Sequence, residues 1–332
     1  MANRRRYVAL TTLGLLAVAG VVFYLSGFPG DRTGPGSQPK DAPEEPARVQ
    51  RFTTEPRISL FVKQTGERRE LPIEEYVAGV VAGEMWENWP ESAYAAQAIL
   101  ARTFTLEFMG RGGTRSLHGT DVSSDPTEAQ AYNPSRISDV IRRAVNRTRG
   151  EVLTFNGRYA RAWFHSYSGG QTTTPEEGLG VRVTDAPYLR PVRLPNNTVV
   201  PAQFKSWRAE FSEQELTSAL AKAGIDVGAI QGMRVAARGP TGRITRVDLS
   251  GTSGRASISG NGLRVALGPE RMKSTLVRTF QFSNGRLVVA GTGSGHGVGL
   301  SQWDALMMAR QGKTPEQIVQ TFYPGTRIEK LW

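Results

Sequence analysis

Leu71-Pro72-Ile73-Glu74-Glu75-Tyr76-Val77-Ala78-Gly79-Val80-Val81-Ala82-Gly83-Glu84-Met85 is the stretch around which the chain is organised. At helical period Ile73, Val77, Val80, Val81 and Glu84 fall along one apolar stripe. Pro72 and the two acidic residues after Ile73 suit a helix N-terminus. The stripe therefore ends in a lone carboxylate. Spacing alone leaves two readings of Glu84. One is a solvated residue of the last turn. The other is a buried carboxyl group, protonated near neutral pH because water has been removed from it, and so suited to general acid catalysis.

Upstream, Ile58-Ser59-Leu60-Phe61-Val62 reads as a strand. Downstream, a second helix opens at Pro90-Glu91-Ser92, runs through an alanine-rich stretch to about Met109 and stops at Gly110. Its alanines predict close helix–helix packing. Residues 111–135 read as a surface loop, 137–147 as a third helix, and Glu151 to Phe155 as a strand. Asn156-Gly157 predicts a type I′ hairpin turn. The returning strand, Tyr159 to Phe164, leads into His165-Ser166-Tyr167-Ser168-Gly169-Gly170-Gln171-Thr172.

Residues from about 195 to 290 read as an inserted subdomain. Ser212-Glu213-Gln214-Glu215 is a capping box for a short helix ending at Gly224. Strands follow at Arg243 to Leu249 and around Ser253 to Ser259. Asn284-Gly285 joins a second hairpin, Thr279 to Phe282 with Arg286 to Val289. The C-terminal block runs Gly291-Thr292-Gly293-Ser294-Gly295-His296-Gly297-Val298-Gly299-Leu300-Ser301-Gln302-Trp303-Asp304, and a helix continues it to about Arg310. A last helix starts at the capping box Thr314-Pro315-Glu316-Gln317 and closes at Tyr323-Pro324-Gly325. The fold class is α+β: a helical region carrying Glu84 packs on antiparallel strands.

The N-terminus differs in kind. Arg4-Arg5-Arg6 precedes an apolar run from Tyr7 to about Phe28, long enough for a bilayer span. Residues 1–6 would stay cytoplasmic, 7–28 form a transmembrane signal anchor, and the rest lie outside the cell membrane. The rival is a signal peptide cleaved after Ala17-Val18-Ala19, which would leave a secreted protein. The apolar run continues through Val21-Val22-Phe23-Tyr24-Leu25, which favours the anchor. Residues 29–55 are rich in Pro, Gly, Ser and charge and read as a disordered or extended tether to a folded body at 56–332.

Net charge is +11, and 39% of residues are apolar. The charge implies a polyanionic neighbour. Nucleic acid is excluded, since no binding motif appears and the basic residues are scattered. Cysteine is absent, so disulfides, thiolate metal sites and a cysteine nucleophile are excluded.

The three histidines, His118, His165 and His296, lack the short spacing of a helix-borne metal pair. His118 reads as a solvated loop residue. The glycines around His296 match neither a P-loop nor a dinucleotide fingerprint and imply a tight loop. Ser166, Ser168, Thr172 and Ser301 offer hydroxyls suited to sugar recognition. Ser166 or Ser168 beside His165 could form a nucleophile pair, but no G-x-S-x-G elbow surrounds them.

Taken together, four motifs resemble the SpoIID/LytB family of wall enzymes and amidase enhancers. They are Leu71 to Val77 with Glu84-Met85, Ala95-Ala96-Gln97-Ala98-Ile99-Leu100-Ala101-Arg102-Thr103, Phe164 to Thr172, and Gly295 to Trp303 through Tyr323-Pro324-Gly325. They occur in family order and cover most of 57–332. The resemblance implies peptidoglycan glycan strands as substrate and wall amidases as partners. It implies lytic transglycosylase activity with Glu84 as the catalytic acid and no cofactor. It places His165, Ser168, His296 and Gln302 along the substrate cleft, and the hydroxyls of Ser166, Thr172 and Ser301 are expected to bind substrate with them. Two departures stand out. Some members hold zinc through cysteines near the loop equivalent to 118–132, and this chain has none, so no such metal is expected. Where the family has Ser-Gln-Tyr-Gly-Ala, this chain reads Ser301-Gln302-Trp303-Asp304-Ala305, a change that would reshape the cleft floor.

Overall fold

The computed structural model describes residues 46–181 and 186–332. The Tyr7 to Phe28 span and tether residues 29–45 lie outside the described residues. Among the described residues no helix is long and apolar enough to cross a membrane.

The strand Arg57–Val62 pairs antiparallel with Glu67–Pro72. That partner carries no strand pattern, because Glu67 to Glu70 are charged and exposed. Its end feeds directly into α1 (Ile73–Glu84), which is buried on every side except at Glu75. The predicted stripe is therefore only part of the contact surface. Enclosing α1 are α2 (Glu91–Gly110) and α3 (Asp139–Arg147). The 20-residue α2 is the central element, and it is buried from Ala93 to Phe108. Its alanines let α1, α3 and the strand Glu151–Phe155 approach closely. Further along the same helix lie α4 (Gln302–Arg310) and α5 (Pro315–Phe322).

Asn156 and Gly157 both take positive φ, at 50° and 73°, as a type I′ turn requires. The return strand is much shorter than expected. Only Arg158–Tyr159 pairs across the turn. The chain then leaves the hairpin, and Phe164–His165 pairs in parallel with Leu300–Ser301. That long-range pairing, invisible to local pattern, is what brings the two histidine motifs together.

The folded body also starts earlier than composition implies. Residues 46–55, expected in the tether, pack on the domain. Tyr159 N–H donates to Ala47 O at 3.0 Å, Val49 N–H to Gly157 O at 3.1 Å and Phe52 N–H to Leu331 O at 3.2 Å. The segment covers an open strand edge, and Phe52 meets Trp332 edge to face at 5.8 Å.

Residues 207–291 carry a core of their own, which includes Trp207, Phe211, Leu220, Val247, Leu249, Leu263, Leu287 and Val289. Two three-stranded antiparallel sheets build it. One is Val277–Ser283, Arg286–Gly291 and Trp207–Ser212; the other is Gly254–Ser259, Ile244–Gly251 and Ile230–Arg238. The capping box at Ser212 forms as read, and so does the one at Thr314. The strands Trp207–Ser212 and Ile230–Arg238 were not legible, because each mixes buried and exposed residues irregularly.

Candidate active site

Glu84 closes α1 and is 7% exposed. The solvated reading of this residue is therefore overturned. The cause is local. Gly79 and Gly83 lie one turn apart, and a Cβ on either would strike the segment above. At Gly79 it would sit 2.2 Å from the Tyr132 ring, and at Gly83 2.5 Å from Ala131 O. Bare backbone lets residues 131–132 lie directly on the helix. Ala131 N–H then donates to Glu84 Oε1 at 2.7 Å. Burial raises the Glu84 pKa to about 7, and the Ala131 hydrogen bond opposes that rise. No second carboxylate contributes to the shift.

Gly83→Ala should reveal this packing. Overpacking costs about 1–3 kcal/mol, set against the ~1 kcal/mol that alanine adds in helix propensity. Urea melts should show a net loss of stability. Displacing Ala131 N–H removes the contact that favours the carboxylate, so the titration of Glu84 should move further upward. Unchanged stability and titration would mean that the 131–132 segment does not rest on this glycine.

Gln302, at the start of α4, donates from Nε2 to Glu84 O at 3.3 Å. Its neighbour Ser301 pairs with His165 in the short parallel ladder, and Trp303 N–H donates to Ser166 O at 3.0 Å. Glu84, His165, Ser166 and Gln302 are thus gathered at one place from three distant segments. His165 Nδ1–H donates to Val298 O at 3.1 Å, which leaves Nε2 as a buried acceptor with no partner. Burial, with the charges of His296 and Arg243, pushes its pKa well below the ordinary value. The ring is neutral at physiological pH.

The other predicted site residues have structural roles. His296 spends both nitrogens: Nε2–H donates to Phe164 O at 2.9 Å, and Nδ1 accepts from Val298 N–H at 3.1 Å. Burial lowers its pKa to about 3. Ser168 and Ser301 are fully buried and offer no hydroxyl to a ligand. Both donate to Asp304 Oδ2, at 2.8 and 2.5 Å. Asn197 Nδ2 donates to Asp304 Oδ1 at 2.9 Å. The aspartate that replaces a family glycine is therefore a buried hub that fixes the start of α4. Thr172 Oγ1 accepts from Val192 N–H at 2.8 Å and pins the 190–193 segment. The glycine loop threads between these parts. At Gly295, φ is 100° and a Cβ would lie 2.7 Å from His165 Cβ, so this position demands glycine.

Two features escaped sequence reading. Arg243, from the insert, is 1% exposed and donates to Ser168 O at 2.7 Å and Gln171 O at 2.9 Å. Glu177 accepts from Arg243 N–H at 2.9 Å and Thr241 N–H at 3.1 Å. These contacts seat the insert under the His165 loop, and a lone arginine just ahead of a strand gives no hint of them. The second feature is an aromatic cluster. Trp86 and Trp89 lie 5.8 and 5.0 Å from the Trp303 ring, and Phe204 lies 6.2 Å from it.

His118 is not a free loop residue. Its ring stacks on Phe61 at 3.9 Å and its Nε2 meets Glu128 Oε2 at 2.8 Å. The donors of 118–132 do not fit the zinc that some family members carry. There is no thiol, and among the described residues no group of three or more His, Asp or Glu is placed to hold a metal ion.

A family model described as Stage II sporulation protein matches residues 62–155, and one described as a domain of unknown function matches 194–299. The chain is 29% identical to Stage II sporulation protein D of Bacillus subtilis over 295 residues, which is 82% of this chain and 79% of that one. It is 31% identical to an uncharacterized protein of Brachyspira hyodysenteriae, covering 78% of this chain and 67% of the other. An amidase enhancer of Bacillus subtilis is 26% identical, covering 75% of this chain and 40% of its own length. The chain belongs to the SpoIID/LytB family.

Proposed function

We propose that this protein is a membrane-anchored peptidoglycan lytic transglycosylase with Glu84 as its single acid and base. The observation that carries the reading is the buried, solitary Glu84 carboxyl with a pKa near 7. A group poised there is protonated in a useful fraction at neutral pH and returns readily to the carboxylate.

In the first step Glu84 gives its proton to the oxygen between N-acetylmuramic acid and N-acetylglucosamine, and the glycosidic bond breaks. The carboxylate then takes the proton of the muramic C6 hydroxyl. That oxygen bonds to C1 and closes a 1,6-anhydro ring. The nucleophile comes from the sugar, so the second carboxylate of ordinary glycosidases is not required. Ala131 N–H stabilises the ionised state between the steps. Gln302 holds the end of α1, and the free acceptor of His165 is the group suited to orient a sugar hydroxyl. The basic surface suits anionic wall polymers, and the N-terminal apolar run would hold the domain at the outer face of the membrane.

A second reading is a wall-binding enhancer of amidases without catalysis, which the amidase-enhancer relative favours. Mass spectrometry of glycan strands, with and without peptide stems, after incubation with the full chain separates the two. Anhydro-muramic ends support the transglycosylase. Hydrated reducing ends would replace it with a hydrolase, and binding without cleavage would favour the enhancer.

A further inference from the structure

Trp86 follows Glu84 by two residues and is one of two large hydrophobic residues exposed among the described residues, at 39%; the other is Leu117. An exposed apolar side chain alone says little. Here, however, the loop beneath it is braced on every side. Tyr94 OH donates to Trp86 O at 2.7 Å and accepts from Trp89 N–H at 3.2 Å. Arg136 Nη2 donates to Met85 O at 3.2 Å, and its Nε donates to Glu87 Oε1 at 3.2 Å. Asn88 takes φ 62° to turn the chain, so that Trp86 and Trp89 both pack on Trp303. Trp303 in turn is 7% exposed and sits at the start of α4, beside the Gln302 that bonds Glu84 O. The indole of Trp86 thus rises from a braced loop, is backed by a buried indole, and is partly open to solvent two residues past Glu84.

We propose that Trp86 is a stacking platform for one pyranose ring of the glycan strand, in the subsite next to the bond that Glu84 cleaves. This rests on the proposed transglycosylase reading and specifies how its substrate is held. A pyranose presents an apolar face of C–H groups with hydroxyls at its rim. The indole provides the matching apolar face, and the Arg136–Glu87 ion pair on the same loop supplies charged groups. The size of the patch also selects the occupant. One partly exposed indole falls far short of the several hundred Å² of apolar surface that marks protein docking, but it matches a single sugar ring. Because the loop is already ordered, binding costs little further ordering.

Calorimetric titration of soluble glycan strands into the full-length Glu84→Gln variant tests this without turnover. Adding Trp86→Ala should weaken Kd by about three- to tenfold, and Trp86→Phe should stay within about twofold of the parent. Thermal melts of all three should nearly coincide, since the side chain is partly exposed and its loop is braced through backbone groups. An unchanged Kd in folded Trp86→Ala overturns the platform while leaving the catalytic reading intact. Failure of the folded Glu84→Gln parent to bind glycan at all overturns the glycan-strand reading itself.

Discussion

Glu84→Gln should abolish formation of anhydro ends and, above neutral pH, make the fold more stable. The loss of activity follows, under the proposed mechanism, from removing the group assigned to give and take the proton; such groups contribute about 10²–10⁴ in rate. The gain in stability follows from linkage. The folded pKa of Glu84 is raised from 4.5 to about 7 by burial. Between those values the native state holds a proton that the unfolded chain has released, so stability falls as pH rises through this window. Above about pH 7 the native state carries a buried negative charge. Each pKa unit corresponds to about 1.4 kcal/mol, so the cost approaches ~3 kcal/mol as an upper bound. Glutamine keeps the oxygen that accepts from Ala131 N–H and removes the charge. The melting-temperature difference between variant and wild type should be small near pH 4.5, widen towards pH 7 and then level off. Wild-type turnover should decline with rising pH through about 7, as the acid form is lost. A pH-independent difference in melting temperature would show that Glu84 is solvated. Undiminished cleavage by the variant would sink the mechanism.

Arg102→Met should be the most damaging substitution in the helical region. Arg102 is fully buried in α2 and clamps Glu74 with Nε to Oε1 at 3.1 Å and Nη2 to Oε2 at 2.5 Å. Its Nη1 donates to Glu151 O at 2.8 Å, and Glu74 Oε1 accepts from Gly150 N–H at 2.9 Å. One ion pair therefore joins α1, α2 and the strand Glu151–Phe155. Removing only the arginine leaves a buried carboxylate without a counter-charge, at a cost of about 3–5 kcal/mol. Urea unfolding should register that loss. Arg102→Lys should rescue it poorly, because an ammonium cannot make the two-pronged contact. Arg102→Met with Glu74→Leu should recover much of the stability, since apolar replacement of a whole buried pair is often tolerated. A single variant within about 0.5 kcal/mol of wild type would refute the role.

Much of the architecture was legible because it is written in local patterns. The helices α1, α2, α4 and α5, both Asn-Gly turns and both capping boxes depend on residues within a few positions of one another. The strands that escaped reading, Glu67–Pro72 among them, hold their place through pairing partners rather than side-chain alternation. The site was legible only in part. Glu84, His165 and Gln302 stood out by residue type and resemblance. Ser168, Ser301 and Thr172 stood out for the same reasons, yet their hydroxyls are committed to Asp304 and to backbone. A hydroxyl's partner is a matter of three-dimensional neighbours, and no spacing rule encodes it.

What the sequence determined by itself is the position of Glu84. Pro72, the apolar turns that follow and two bare glycines set a helix that ends in Glu84. The tertiary structure alone decided that this carboxyl is buried and its pKa raised. Residues 131–132 had to return from 47 positions away and settle on Gly79 and Gly83. Burial, unlike helicity, is a property of what the rest of the chain places on top, and it is burial that sets the proton affinity of Glu84.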